Sequence, residues 1–131
     1  MVIDSSVLIA ILFGEPDREP FKRAIDAAPT RLVSAMTKLE SGIVMAGRFG
    51  PEGGRRLDDL LRDIAASIIP FTDHHADIAR DAFVRYGKGR HKAGLNFGDC
   101  ASYALAIAEA EPLLFKGTDF GSTDVEVVGA M

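Results

Sequence analysis

The sequence has few of the residues that build disulfides, zinc sites or membrane spans. Its 131 residues contain one cysteine, Cys100, three histidines and no tryptophan. A single cysteine excludes an internal disulfide and favours a reducing, cytoplasmic location. No histidine has the spacing from a cysteine or an acid that a zinc motif requires, which disfavours zinc. The longest apolar run, Val7 to Phe13, is much shorter than the roughly 20 residues that span a bilayer, so we expect no membrane contact.

Positive charge is also scarce. The chain has 15 basic and 19 acidic residues and a formal net charge of −4. This balance argues against a nucleic-acid partner, because phosphate binding usually needs a positive surface. The argument weakens if several of the acids surround a divalent cation, which supplies positive charge locally. The net charge is therefore a caution against a nucleic-acid partner, not an exclusion.

The pattern along the chain predicts a layered α/β fold. Apolar residues make up 47% and charged residues 26% of the sequence, as in a globular protein, and residues 1–131 suit one domain. Short apolar segments that alternate with helices predict five strands, at 2–3, 31–34, 67–71, 113–115 and 125–128. Such alternation favours a mostly parallel sheet covered by helices on both faces.

Three predicted helices have clear start signals, and one has a clear apolar stripe. Ser5 and Ser6 offer hydroxyls to cap the first helix, Asp73 can cap the fifth, and Asn96 can cap the sixth. In the third helix, the residues at helical spacing that predict the buried stripe are Met36, Leu39, Ile43 and Ala46.

Three acids fall where a parallel sheet would bring them together. Asp4 ends the first predicted strand, and Asp119 follows the fourth. Asp99 lies in the first turn of the helix that leads into the fourth strand. The carboxyl ends of parallel strands meet at one edge, where sites form. Each acid also has an ordinary explanation. Asp99 would stabilise its helix dipole by roughly 0.3–1 kcal/mol, and Asp4 and Asp119 would be polar loop residues.

Glu40 adds a fourth acid. On the third helix it lies between Met36 and Ile43, so it is predicted to project from the inward stripe. A buried carboxylate without a partner is costly or stays protonated, and a cation shared with other carboxylates removes that cost. The alternatives are a local ion pair with Lys38 or Arg48, or a side chain that extends to solvent at the edge of the stripe.

The composition of this acid set predicts which ion it would bind. Carboxylates without a ligand cysteine favour Mg²⁺ or Mn²⁺. Such an ion lowers the pKa of a water molecule bound to it. Asp4 and Asp99 are the first choice as direct ligands, and the sequence does not divide the remaining roles.

Four segments around these acids resemble the PIN-domain ribonucleases, and most closely the VapC toxins of bacterial toxin–antitoxin pairs. The segments are 1–6 (MVIDSS), 34–40 (SAMTKLE), 95–100 (LNFGDC) and 113–120 (LLFKGTDF). They follow one another in the family's order and together cover essentially the whole chain. The resemblance implies a three-layer fold with a five-stranded parallel sheet. It also implies an Mg²⁺- or Mn²⁺-dependent endoribonuclease that hydrolyses RNA with metal-activated water.

The resemblance also assigns roles by position. The family's acids would be Asp4, Glu40, Asp99 and Asp119. Ser6 would be the small polar residue that lines the pocket behind the first aspartate, and Asp124 a plausible auxiliary acid. Thr118 departs from the Asn or Asp that is frequent in the family. Similar members form homodimers and are silenced by a cognate VapB antitoxin.

A basic stretch lies just upstream of Asp99. It consists of Arg85, Lys88, Arg90, His91 and Lys92. We predict that it guides the RNA backbone, and a solvated glycine-rich loop is the alternative.

Two other functions stay open at this point. One is a catalytically silent PIN-like module that binds RNA or protein. The other is phosphoryl transfer, as in receiver domains and haloacid-type phosphatases. These proteins need further acids beside the first aspartate, where this chain has Ser5 and Ser6. The RNA target is not readable from the sequence.

Overall fold

The computed structural model describes residues 1–128, which form four strands, six α-helices and one 3₁₀ helix. In chain order these are β1 (Val2–Ile3), α1 (Ser5–Leu12), α2 (Arg18–Ala27), β2 (Leu32–Ser34), α3 (Ala35–Phe49), α4 (Pro51–Asp63), β3 (Ser67–Ile69), α5 (Asp73–Tyr86), α6 (Phe97–Glu109), β4 (Leu113–Leu114) and the 3₁₀ helix Asp119–Ser122. None of these helices is both long and apolar enough to cross a membrane.

The strands form one parallel sheet in the order β3-β2-β1-β4. This confirms the predicted α/β class with a parallel sheet. The predicted fifth strand, 125–128, is reduced to a single parallel bridge between Val127 and Leu113. Two backbone hydrogen bonds make this bridge, from the Leu113 N–H to the Glu126 carbonyl and from the Val128 N–H to the Leu113 carbonyl.

Apolar layers cover both faces of the sheet. Successive residues of a strand point to opposite faces, and accordingly Ile3 and Leu114 belong to one core cluster while Val2 and Leu113 belong to the other. The first cluster includes buried residues of α1, α2, α3 and α4, and the second includes buried residues of α5 and α6. The chain therefore has the predicted three layers.

The buried face of α3 differs from the predicted stripe. Thr37, Ser41 and Met45 are buried, whereas Leu39 is 57% and Ile43 is 64% exposed. Helix α3 packs against α1, α4 and α6. Its buried side therefore holds two small hydroxyl residues and Met45, while Leu39 and Ile43 face solvent. The inward stripe inferred from spacing was wrong, because periodicity reports an apolar face but not which neighbours cover it.

Helix starts also differ in detail. Asp4, not Ser5 or Ser6, caps α1, and Thr72, not Asp73, caps α5. Asn96 caps α6 as predicted, in a capping box in which the Asn96 and Asp99 side chains each accept from the other's backbone N–H. Two of the acids of interest are thus held at helix N-termini.

Candidate metal centre

Asp4 lies where β1 passes into α1, and its side chain is 2% exposed. Its Oδ2 accepts hydrogen bonds from the Ser6 N–H (3.1 Å) and the Ser6 hydroxyl (2.7 Å). Its Oδ1 accepts one from the Ser102 hydroxyl at 2.6 Å. Three donors therefore hold this carboxylate in one orientation at the sheet edge.

Ser6 also connects Asp4 to the loop after β4. Its hydroxyl oxygen accepts from the Lys116 backbone N–H at 2.9 Å. The Lys116 ammonium in turn lies 3.1 Å from a Glu15 carboxylate oxygen and 3.4 Å from one of Asp17. The loop that leads to Asp119 is fastened to α1 and to the turn that follows it.

Glu40 lies half-buried on α3, with its carboxylate against Gly98 of α6. A Cβ atom at Gly98 would overlap both carboxylate oxygens, so only glycine leaves room for Glu40 in this position. Burial raises the pKa of Glu40, a hydrogen bond with the Ser5 side chain opposes the rise, and repulsion by Asp4 adds to it. Its Oε1 is inaccessible to water and has no hydrogen-bond partner. The predicted alternative, an ion pair with Lys38 or Arg48, is not formed among the described residues.

Asp99 is electrostatically coupled to the other three acids. Burial raises its pKa to about 6, and the Asn96 backbone hydrogen bond opposes this rise. Repulsion by Asp4, Asp119 and Glu40 raises the pKa further. Asp119 itself is exposed, at the start of the 3₁₀ helix. The structure therefore brings the four predicted acids into one region.

The residues present fit a hard divalent cation. The donor set is carboxylate oxygen throughout, which suits Mg²⁺ or Mn²⁺, and one buried oxygen of Glu40 lacks any partner. Within residues 1–128, no three acidic, histidine or cysteine side chains converge tightly enough as they stand to hold an ion together. Repulsion between like charges opposes a closer approach, and a cation would reverse the sign of that interaction.

Asp124, the predicted auxiliary acid, does not join this group. Its Oδ1 accepts a hydrogen bond from the Tyr103 hydroxyl at 2.5 Å, and its Oδ2 lies 3.2 Å from an Arg85 guanidinium nitrogen. These contacts lower the pKa of Asp124, with the Tyr103 bond as the main cause. Asp124 therefore anchors the segment after the 3₁₀ helix to α5 and α6.

The residues of the basic stretch differ in their contacts. Arg85 is paired with Asp124 and also lies 3.5 Å from Asp81. Lys88, Arg90 and Lys92 are exposed. Their loop is closed by backbone hydrogen bonds between Lys88 and Leu95 and between Leu95 and Tyr86, with the His91 ring accepting from the Ala93 N–H. The loop leads directly into the start of α6, which begins two residues before Asp99.

Sequence reasoning missed three residues that shape the centre. Ser102 binds Asp4, Thr37 lies 3.3 Å from the Ser102 hydroxyl, and Gly98 admits Glu40. Ser102 left a readable signal, because it is a polar residue three positions after Asp99 in an otherwise alanine-rich, buried helix. Gly98 left none, since its role depends on a side chain 58 positions away in the sequence.

We expect Asp99→Asn to stabilise the protein in the absence of divalent cations. Because the folded-state pKa of Asp99 is raised to about 6 from 3.8, folding favours its neutral form. The resulting stabilisation is complete below pH 3.8 and is lost as pH rises through 6. At pH 7.5 in a chelator, the amide should raise the free energy of unfolding by about 1–2 kcal/mol after allowance for solvent screening.

Urea denaturation at pH 5 and pH 7.5 measures this difference, which should be smaller at pH 5. Asp58→Asn, on the exposed face of α4, is the control for loss of one surface charge. Equal effects of the two substitutions at both pH values would contradict the coupling of Asp99 to its neighbours.

Comparison with known proteins shows the family of the chain. The family model for the PIN domain matches residues 1–126. Ribonuclease VapC30 of Mycobacterium tuberculosis is 50% identical over 128 residues, which cover 98% of each chain. The crystal structure of M. tuberculosis VapC20, described as a sarcin-ricin loop cleaving toxin, has a TM-score of 0.78 at 17% identity and covers 97% of both chains. A toxin–antitoxin complex from Klebsiella pneumoniae matches with a TM-score of 0.72 at 24% identity, over 97% of this chain and 95% of that one. The chain belongs to the PIN-domain family and, within it, to the VapC ribonucleases.

Proposed function

We propose that the protein is an Mg²⁺- or Mn²⁺-dependent endoribonuclease and the toxin of a type II toxin–antitoxin pair. The observation that carries this proposal is the unsatisfied negative charge at the sheet edge. Glu40 Oε1 is buried without a partner, and the pKa of Asp99 is raised by burial and by three neighbouring acids. A cation bound there would satisfy these carboxylates, and a scissile phosphate would share it.

Asp4 and Asp99 are the first choice to hold the cation, with Glu40 and Asp119 beside them. When bound, the cation supplies a Lewis acid that makes water a stronger nucleophile and stabilises negative charge on the phosphate. The match to the PIN family over residues 1–126 favours this chemistry over phosphoryl transfer to an aspartate.

The chain's own residues would orient the reaction. Asp4, held by three donors, provides a fixed reference point for the centre. The Glu40 carboxylate is suited to accept a proton from the attacking water, because burial raises the pKa of this carboxyl and makes it a stronger base. Asp119, on the exposed 3₁₀ helix, would lie on the side from which RNA enters.

The exposed part of the basic loop would guide the RNA backbone. Lys88, Arg90 and Lys92 project from the loop that leads into α6, so their charge lies close in sequence to Asp99. Arg85 is neutralised by Asp124 and would contribute less. His91, held within the loop by the Ala93 N–H, would contact phosphate only through its remaining ring nitrogen.

The proposed partners are a cognate VapB-like antitoxin and a second copy of the chain. The Klebsiella pneumoniae neighbour is a toxin–antitoxin complex, which supports the antitoxin. An apolar groove of about 530 Å³ between α3, α5 and α6 supports a further protein contact. Phe97 at its edge is 77% exposed, and Met36, Phe71 and Phe83 line it. The homodimer stays a prediction.

Cleavage of RNA with added Mg²⁺ or Mn²⁺ tests the proposed function. Asp4→Asn and Asp99→Asn should each lower the rate at least about 100-fold, because each removes a charge that the cation needs. Attack by water should leave 5′-phosphate and 3′-hydroxyl ends, which end-labelling distinguishes from cyclic phosphates. Equal residual cleavage by wild type and both variants, or binding without cleavage, would favour the catalytically silent alternative.

Gly98→Ala should separate catalysis from stability. The new methyl group would displace the Glu40 carboxylate, which is at the end of a flexible side chain, so the free energy of unfolding should change little. The cleavage rate should fall about 10–100-fold. Gly47→Ala on α3, where a Cβ meets nothing within 4 Å, is the matched control. A Gly98→Ala protein as active as Gly47→Ala would show that the position of Glu40 is unimportant.

The role of the basic loop is tested by the salt dependence of RNA binding. Asp99→Asn as the background prevents cleavage during the measurement. Each phosphate contact contributes about 0.7 to the slope of log affinity against log salt for a single strand. Lys88→Ala and Lys92→Ala should each reduce the slope by about that amount, whereas Lys22→Ala on α2 should not. An unchanged slope in the loop variants would mean that the loop is only solvated.

A further inference from the structure

The two oxygens of the Asp4 carboxylate have unequal numbers of partners. Oδ2 accepts two hydrogen bonds, both from Ser6. Oδ1 accepts one, from the Ser102 hydroxyl. Each carboxylate oxygen has two lone pairs, so Oδ2 is filled and Oδ1 has one left. Asp4 therefore has a single site at which it can bind anything more.

We propose that Ser102 is a positioning residue that presents Oδ1 as the atom through which Asp4 binds the divalent cation. This inference rests on the proposed metal-dependent function. The Ser102 hydroxyl occupies one lone pair of Oδ1 and fixes the direction of the other. Without it, the carboxylate would be held on the Ser6 side alone and could rotate about its Cβ–Cγ bond.

Ser102 is itself held by Thr37. The two hydroxyl oxygens are 3.3 Å apart, and both side chains are almost wholly buried. Ser102 has one hydroxyl proton, and it goes to Asp4, since an ionised carboxylate only accepts. Thr37 is therefore the donor to Ser102. This chain of hydroxyls runs from α3 through α6 to the end of β1.

Ser102 and Asp99 lie on the same helix, α6. It lies three residues after Asp99, one turn along the same helix. The helix that carries Asp99 thus also holds Asp4, which sets the separation of the two proposed ligands. A carboxylate that binds metal usually has such a hydrogen-bonded support, and loss of the support lowers metal affinity about 10–100-fold.

The experiment measures Mn²⁺ binding directly, by calorimetric titration of the folded protein without RNA. Ser102→Ala should raise the Mn²⁺ dissociation constant about tenfold or more. Ser41→Ala is the matched control, because Ser41 is also fully buried but its hydroxyl has no hydrogen-bond partner. Ser41→Ala removes the same hydroxyl group from an equally buried position. It should leave the Mn²⁺ dissociation constant within about twofold of the wild-type value. Thr37→Val should weaken binding less than Ser102→Ala but more than Ser41→Ala.

Thermal unfolding in a chelator separates positioning from stability. A role in the fold alone would lower the melting temperature of Ser102→Ala while leaving its Mn²⁺ affinity equal to that of Ser41→Ala, and this result would overturn the inference. If Ser102→Ala does not fold, the comparison of Thr37→Val with Ser41→Ala decides in the same way. A wild-type protein that binds no Mn²⁺ would refute the proposed function, and the inference with it. If the wild-type protein binds Mn²⁺ and the Ser102→Ala and Thr37→Val variants bind it equally well, the role of Ser102 is refuted but the proposed function is not.

Discussion

Repulsion among four carboxylates at one edge of a short parallel sheet is the constraint on which the rest of the structure depends. The fold places Asp4 after β1 as the cap of α1 and Asp99 in the capping box of α6, so neither can withdraw without losing hydrogen bonds at a helix N-terminus. Burial increases the cost of the charge on Glu40 and Asp99, whose pKa values are raised. The four carboxylates repel one another in isolation, and the proposed cation would relieve this repulsion.

The site is supported mainly by helices. Its strands are two or three residues long, so the sheet sets the order of the elements but supplies few backbone hydrogen bonds. Fine positioning comes from side chains of α3 and α6, which meet at Gly98 and at the Thr37–Ser102 pair. An ion that binds to carboxylates from both helices would therefore also join the two layers of the fold.

The sequence predicted the fold class, the parallel sheet and the region where the acids gather, because these depend on local patterns. Asp4, Asp99 and Asp119 were located by their places at strand ends and a helix start. Glu40 was found with a mistaken reason, since the stripe beside it, Leu39 and Ile43, faces solvent. Its burial arises instead from contact with Gly98. Thr37 was missed because a hydrogen bond between elements far apart in the chain leaves no periodic signal. Ser102 did leave a signal, as a polar residue in an alanine-rich helix, but its partner Asp4 could not be identified from the sequence.

The two acids in the segment after β4, Asp119 and Asp124, have different surroundings. Asp119 and Asp124 are five residues apart, yet Asp124 is neutralised by Arg85, a cation that the protein itself provides. That pairing ties down the backbone on which Asp119 stands, and leaves Asp119 outside it, facing solvent. Asp124 therefore anchors the segment. Asp119, which is exposed, would take its counter-charge from the proposed cation in solution.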